Sequence, residues 1–177
     1  MFTRSVVCIV VVAWFLLTAE SSVADDNPNL GEAVSLADLS SLDLTIMPNG
    51  EGLPDGSGTA AAGATVYQEN CLACHGAGGK DGLNDTLVGG HGSLSSDRPQ
   101  KTVGSYWPYA TTLFDYVRRA MPYQAPGSLS DDDVYAVTAY ILYLNEIVGE
   151  DDRLDSNTLP DVRMPNRENF VWGYAPD

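Results

Sequence analysis

The sequence predicts an all-α domain, on three observations. Segments near residues 59–70, 108–120 and 131–148 place apolar residues three and four apart. The stretch between the first two is too dense in glycine for a stable helix, and no run shows the strict alternation of a half-buried strand. No internal repeat is visible, so the chain reads as one domain with irregular arms rather than an array.

At the N-terminus, Arg4 precedes an apolar run from Ser5 to Ala19. That run is short for a bilayer-spanning helix and is followed by small residues, with Ser22-Val23-Ala24 fitting a small-x-small cleavage site. Residues 1–24 are expected to be a cleavable export signal, which would remove Cys8; the alternative is an uncleaved anchor. Residues 25–58, rich in Pro, Gly, Asp and Ser with turn signals such as Pro48-Asn49-Gly50, read as an irregular N-terminal arm. Its apolar pieces Leu42, Leu44 and Ile46 imply packing against its own domain or a partner. Residues 59–148 form the expected domain and 149–177 a C-terminal arm without sustained periodicity.

Within the domain, Ala60, Gly63, Ala64, Tyr67 and Cys71 recur at helical spacing. Residues 76–99 contain Gly76, Gly78, Gly79, Gly82, Gly89, Gly90 and Gly92 and are expected to be loop. Pro108 suits the first turn of a middle helix carrying Leu113, Tyr116, Val117 and Ala120, with Arg118 and Arg119 complementing its C-terminal dipole and Pro122 forcing an exit. Ser130 before Asp131, Asp132 and Asp133 gives the last helix an N-cap and an acidic first turn. Val134, Val137, Ile141, Leu144 and Val148 make its apolar stripe, ending near Gly149.

Between the first helix and the glycine-rich loop stands Cys71-Leu72-Ala73-Cys74-His75. Cys-x-x-Cys-His is the pattern of covalent c-type haem attachment: each thiol forms a thioether to one vinyl group, and the adjacent histidine ligates the iron. With Cys8 removed, Cys71 and Cys74 are the remaining cysteines. Structural zinc would need two further donors, and His75 beside Cys74 is badly placed to close a tetrahedron. A thioredoxin-like pair would want a βαβ pattern that the sequence lacks. One covalent haem c is therefore expected. The second axial position has four candidates outside the N-terminal run: Met47, Met121, Met164 and His91. Met121 is favoured because it leaves a helix at a Met-Pro step, between two packed helices. His/Met ligation fills both axial positions and suits outer-sphere electron transfer rather than substrate binding.

Nine basic and 24 acidic residues give a net charge of −15, which loss of Arg4 and Glu20 with the signal leaves unchanged. Such a balance argues against nonspecific binding to nucleic acid or anionic lipid; it serves solubility or steering toward a basic partner. Export fits haem attachment, so a periplasmic location is expected, with no membrane span in the mature chain.

These residues together resemble class I cytochromes c: a helix with Gly63 and Tyr67, then Cys71-x-x-Cys74-His75, then Met121-Pro122, then a last helix carrying Tyr140. The resemblance implies the class I cytochrome c fold, with the first and last helices crossing at Gly63 and Tyr140. A narrower similarity covers Gly50-Glu-Gly-Leu-Pro-Asp-Gly-Ser-Gly58, Lys101-Thr-Val-Gly-Ser-Tyr-Trp-Pro-Tyr-Ala-Thr-Thr112 and Arg163-Met-Pro-Asn-Arg-Glu-Asn-Phe170. These stretches look like the haem c subunits of bacterial molybdenum sulfite dehydrogenases, and of the related sulfane dehydrogenase. That similarity implies a non-catalytic subunit taking single electrons from a molybdenum sulfite dehydrogenase catalytic subunit and passing them to a downstream cytochrome c, with the arms as docking elements. The chain departs from many class I cytochromes in having no proline soon after His75, where such a residue supplies the carbonyl that accepts the imidazole proton. The alternatives are a free, diffusing carrier, and a haem sensor or peroxidase with an open iron position.

Overall fold

The computed structural model describes residues 31–170 and Gly173; the expected export signal lies outside the described residues. The chain divides into two compact units, residues 1–40 and 41–177. In the first, Ser35 starts helix α1 (Leu36–Leu42): its hydroxyl accepts from the Asp38 N–H at 3.1 Å, while the Asp38 carboxylate accepts from the Ser35 N–H at 3.3 Å, a reciprocal cap. The sequence predicts no helix in this stretch, since seven residues, about two turns, give little periodicity to see.

The second unit is helical apart from one short ribbon. Strand β1 (Ser57–Thr59) pairs antiparallel with β2 (Arg153–Asp155), with Gly58 opposite Leu154. The sequence analysis expects no strand; three-residue strands are too short to display alternation, and this pair forms only because the two ends of the domain meet. Thr59 then caps helix α2 (Ala60–Asn70), its hydroxyl accepting from the Ala62 N–H at 3.3 Å. A one-turn helix α3 (Leu72–His75) follows directly.

Helix α4 (Ala110–Ala120) buries Leu113, Phe114 and Val117. It begins after Pro108, not at it, with Tyr109 extended as its cap; Trp107 instead stacks edge-on against Tyr116 at 5.7 Å. Helix α5 (Asp131–Leu144) is capped by Ser130, which accepts from the Asp133 N–H at 3.2 Å, and buries Val134, Val137 and Ile141 as the stripe requires. It stops at Leu144, one turn short of the expected end. Asn145 occupies the cap position and Glu146 adopts a left-handed φ of 60°, so Ile147 and Val148 pack against the core from a turn.

Helices α2 and α5 cross at the centre. A Cβ added at Gly63 would collide with the Ala136 carbonyl oxygen and lie 2.8 Å from the Tyr140 Cβ. Glycine is thus what lets the two backbones touch, and Tyr67 and Tyr140 pack beside the contact at 5.3 Å. Phe114 of α4 meets Tyr135 of α5 at 4.4 Å, closing the third side. Leu154, Leu159 and Met164 are buried in the same core, so residues beyond the last helix complete the domain. Among the described residues no helix is long and apolar enough to cross a membrane.

Candidate haem site

Cys71 ends α2 and caps α3, its N–H donating to the Tyr67 carbonyl at 2.8 Å. The next turn bonds Cys74 and His75 N–H to the Cys71 carbonyl at 3.1 and 2.9 Å. One helical turn therefore carries both thiols, three residues apart and so on one face, with the imidazole beside them. No disulfide joins the two cysteines. Gly76, at φ 77°, reverses the chain immediately after His75, and a side chain there would strike the Lys80 carbonyl. The buried Tyr67 hydroxyl donates to the Gly76 carbonyl at 2.9 Å, pinning this reversal to α2.

The loop then returns to the histidine. Asn84 N–H donates to the Cys74 carbonyl at 2.9 Å, and His75 Nδ1 lies 2.8 Å from the Asp85 carbonyl oxygen. A carbonyl can only accept, so the Nδ1 position carries the proton and the Nε2 lone pair is left for a metal. This supplies the carbonyl that the sequence, lacking a nearby proline, does not reveal. A backbone acceptor is independent of residue type and leaves no mark in the sequence.

Cys71, Cys74 and His75 line a cleft together with Met121, Pro122, Tyr123 and Gln124. Apolar side chains from α4, α5 and the segment between them, Val117, Leu129, Val137 and Ile141, line it as well. Burial, then the neighbouring Cys74, pushes the Cys71 thiol up to about 11. Such a site disfavours a thiolate and suits a neutral thioether, the product of adding a thiol across a vinyl group. Among the described residues, no three His, Cys, Asp or Glu side chains gather as a metal ion held by the protein alone would require. Two thiols, a nitrogen donor and a thioether sulfur around one largely apolar cleft are a donor set that fits a flat apolar macrocycle carrying an iron.

The other candidate axial ligands lie away from the cleft. Met164 is buried in the core at 4 % exposure, Met47 is exposed, and His91 lines a separate depression with Asn145, Glu146 and Arg163. A larger open cleft of about 750 Å³ lies apart from the cysteines, lined by residues that include Gly104, Ser105, Tyr106, Pro165, Asn166 and Phe170. It brings together two of the three stretches that carry the narrower resemblance, and they are bonded there: Asn166 Nδ2 donates to the Tyr106 carbonyl at 2.8 Å.

Residues 60–145 match the family model of cytochrome c. The fold superposes with a TM-score of 0.75 on a chain in the crystal structure of the sulfane dehydrogenase SoxCD from Paracoccus pantotrophus, at 42 % sequence identity and covering 82 % of this chain and 72 % of that one. No curated protein is significantly similar in sequence.

Proposed function

Since the chain belongs to the cytochrome c family of covalent-haem electron-transfer proteins, related to a chain of the sulfane dehydrogenase SoxCD, we propose that it is the periplasmic haem c subunit of a molybdenum sulfite dehydrogenase. In this reading one haem c is joined to Cys71 and Cys74 and held between His75 and Met121. The observation that carries it is that Cys71, Cys74, His75 and Met121 line one largely apolar cleft.

When bound, the group would supply a one-electron couple, with His75 and Met121 the residues that would hold its iron. The chain's own residues do the rest. The Asp85 carbonyl holds the His75 proton at Nδ1, strengthening Nε2 as a donor. Val117, Leu129, Val137 and Ile141 exclude water from the buried part of the cleft, which limits solvent reorganisation when charge changes. Tyr123, 77 % exposed at the cleft wall, leaves that side accessible to a partner.

Assignment to a dehydrogenase complex, rather than a free carrier, is supported by the 42 % identity to a chain of such an enzyme. It is supported too by the meeting of residues 101–112 and 163–170 at one open cleft remote from the cysteines. Electrons arriving singly from the molybdenum partner then leave to a downstream cytochrome c, with the export signal over residues 1–24 delivering the chain. The test is to purify the native protein from its host without a tag, measure molybdenum, and add sulfite or a sulfane-sulfur compound. Stoichiometric molybdenum with haem reduction by sulfite is expected; reduction by sulfane sulfur alone would assign the partner to that substrate. A lone monomer whose haem both leave oxidised would make the chain a diffusing carrier.

A further inference from the structure

We infer that Asn145 is a positioning residue for the iron-ligating histidine, acting through the loop that bears the Asp85 carbonyl. It does not line the haem cleft and stands 70 residues after His75, a separation read from their numbers. Yet it is 1 % exposed, and its amide is fully engaged. Oδ1 accepts from the Gly89 N–H at 3.0 Å, and Nδ2 donates to the Leu87 carbonyl at 3.2 Å and to the Ile141 carbonyl at 2.9 Å.

Ile141 belongs to the wall of the cleft, whereas Leu87 and Gly89 follow Asp85 by two and four residues. One side chain therefore ties the end of α5 to the strip of loop that holds the His75 proton. The rest of the strip is bonded too: Leu87 N–H donates to the Gly79 carbonyl at 2.9 Å, Val103 N–H to the Leu87 carbonyl at 3.2 Å, and the Thr102 hydroxyl to the Gly89 carbonyl at 2.5 Å. Of these contacts, only the Asn145 amide connects the strip to α5, the helix that also lines the haem cleft. A buried amide with both polar atoms used is intolerant of change: a substitute without its oxygen leaves the Gly89 N–H unpaired, and one that keeps an oxygen but loses the Nδ2 donor sets that oxygen against the Leu87 and Ile141 carbonyls.

Gly104 packs directly against the same amide. A Cβ there would collide with Asn145 Oδ1 and come within 2.8 Å of its Cγ. An alanine would therefore press on the amide while leaving Asn145 itself in place.

The inference rests on haem attachment as proposed above, and the experiment separates the two. Wild-type, Asn145→Asp, Gly104→Ala and Leu159→Ala proteins are compared as holoproteins for the exchange rate of the His75 Nδ1 proton in the ferrous state, and for reduction potential. Asn145→Asp keeps the volume and one acceptor but turns Nδ2 into an oxygen facing two carbonyls. Leu159, fully buried in the core away from the loop, controls for lost stability alone. Expected is proton exchange about tenfold faster in Asn145→Asp and Gly104→Ala, the factor that one net hydrogen bond confers. Their potentials should rise as the imidazole loses anionic character, with Leu159→Ala at the wild-type rate. Wild-type exchange in both test variants, or equal acceleration in all three, overturns the inference. A wild-type protein without covalent haem would instead overturn the site assignment, and this inference with it.

Discussion

His75 and Met121 look into the same cleft from backbones that are held in very different ways. On the histidine side three bonds close turns of nine or ten residues, His75 Nδ1 to the Asp85 carbonyl, Asn84 N–H to the Cys74 carbonyl and Tyr67 hydroxyl to the Gly76 carbonyl, and the Asn145 amide ties that loop to the end of α5 through Leu87 and Gly89. On the methionine side the backbone bonds are local, and one side-chain pair, Arg118 Nε to Asp131 Oδ1 at 2.9 Å, closes the loop at its base. Met121 N–H closes the last turn of α4 on Val117 at 3.0 Å, and the following loop is pinned by Ala125 N–H to Pro122 at 2.8 Å and Ser128 N–H to Ala125 at 3.3 Å. Pro122 is half-buried, while Tyr123 to Ser128 are exposed. Segments with few long-range bonds and high exposure open at lower free energy than those tied across the fold. The two sides of the cleft differ in stiffness: the backbone around His75 is tied to α2 and α5, and the segment after Met121 is where the cleft opens first.

The largest effect is expected from His75→Ala, which removes the stiff side altogether. The purified chain should lose the His/Met haem spectrum and all substrate-driven haem reduction, as read by visible absorption. Met121→Ala breaks only the soft side. Haem should stay attached and His75 bound, the reduced protein should take up carbon monoxide at neutral pH, and the potential should fall by more than about 0.1 V, part of the roughly 0.8 V that axial ligands command. Carbon monoxide binding measured beside potentiometry checks both; an unchanged spectrum would move the ligand elsewhere.

Gly63→Ala loosens the helix crossing beneath both sides alike. Its new Cβ meets the Ala136 carbonyl, a backbone atom that cannot swing away, so about 1–3 kcal/mol of stability should be lost in denaturant titration while both axial ligands stay bound. The smallest effect sharpens the comparison most. Asp85→Asn changes an exposed side chain but not the carbonyl that accepts from His75, so stability should stay within about 0.5 kcal/mol and the His75 proton should exchange at the wild-type rate. Faster exchange would mean that the carboxylate, not the backbone, holds the histidine.

What could be read in the sequence follows the same division. The Cys-x-x-Cys-His motif and the Met-Pro step, which the fold brings to one cleft, the Ser130 cap and the stripe of α5 are all side chains at fixed spacing, legible in the sequence. Gly63 was legible as a crossing point only through family resemblance, since a helical glycine by itself signals no partner. The Asp85 carbonyl was invisible because backbone acceptors have no residue signature. Asn145 was passed over within a helix expected to continue to Val148; its role as cap and clamp depends on loop residues almost 60 positions away. The β1–β2 ribbon escaped for a related reason, as three-residue strands exist only once the distant chain ends have met.

The most direct test of the account is the intact mass of the native chain, taken with its absorption spectrum. The account predicts the mass of the chain plus one haem, resistant to acid extraction, with the spectrum of a His/Met cytochrome. The mass of the unmodified chain, or haem released by acid, would contradict it.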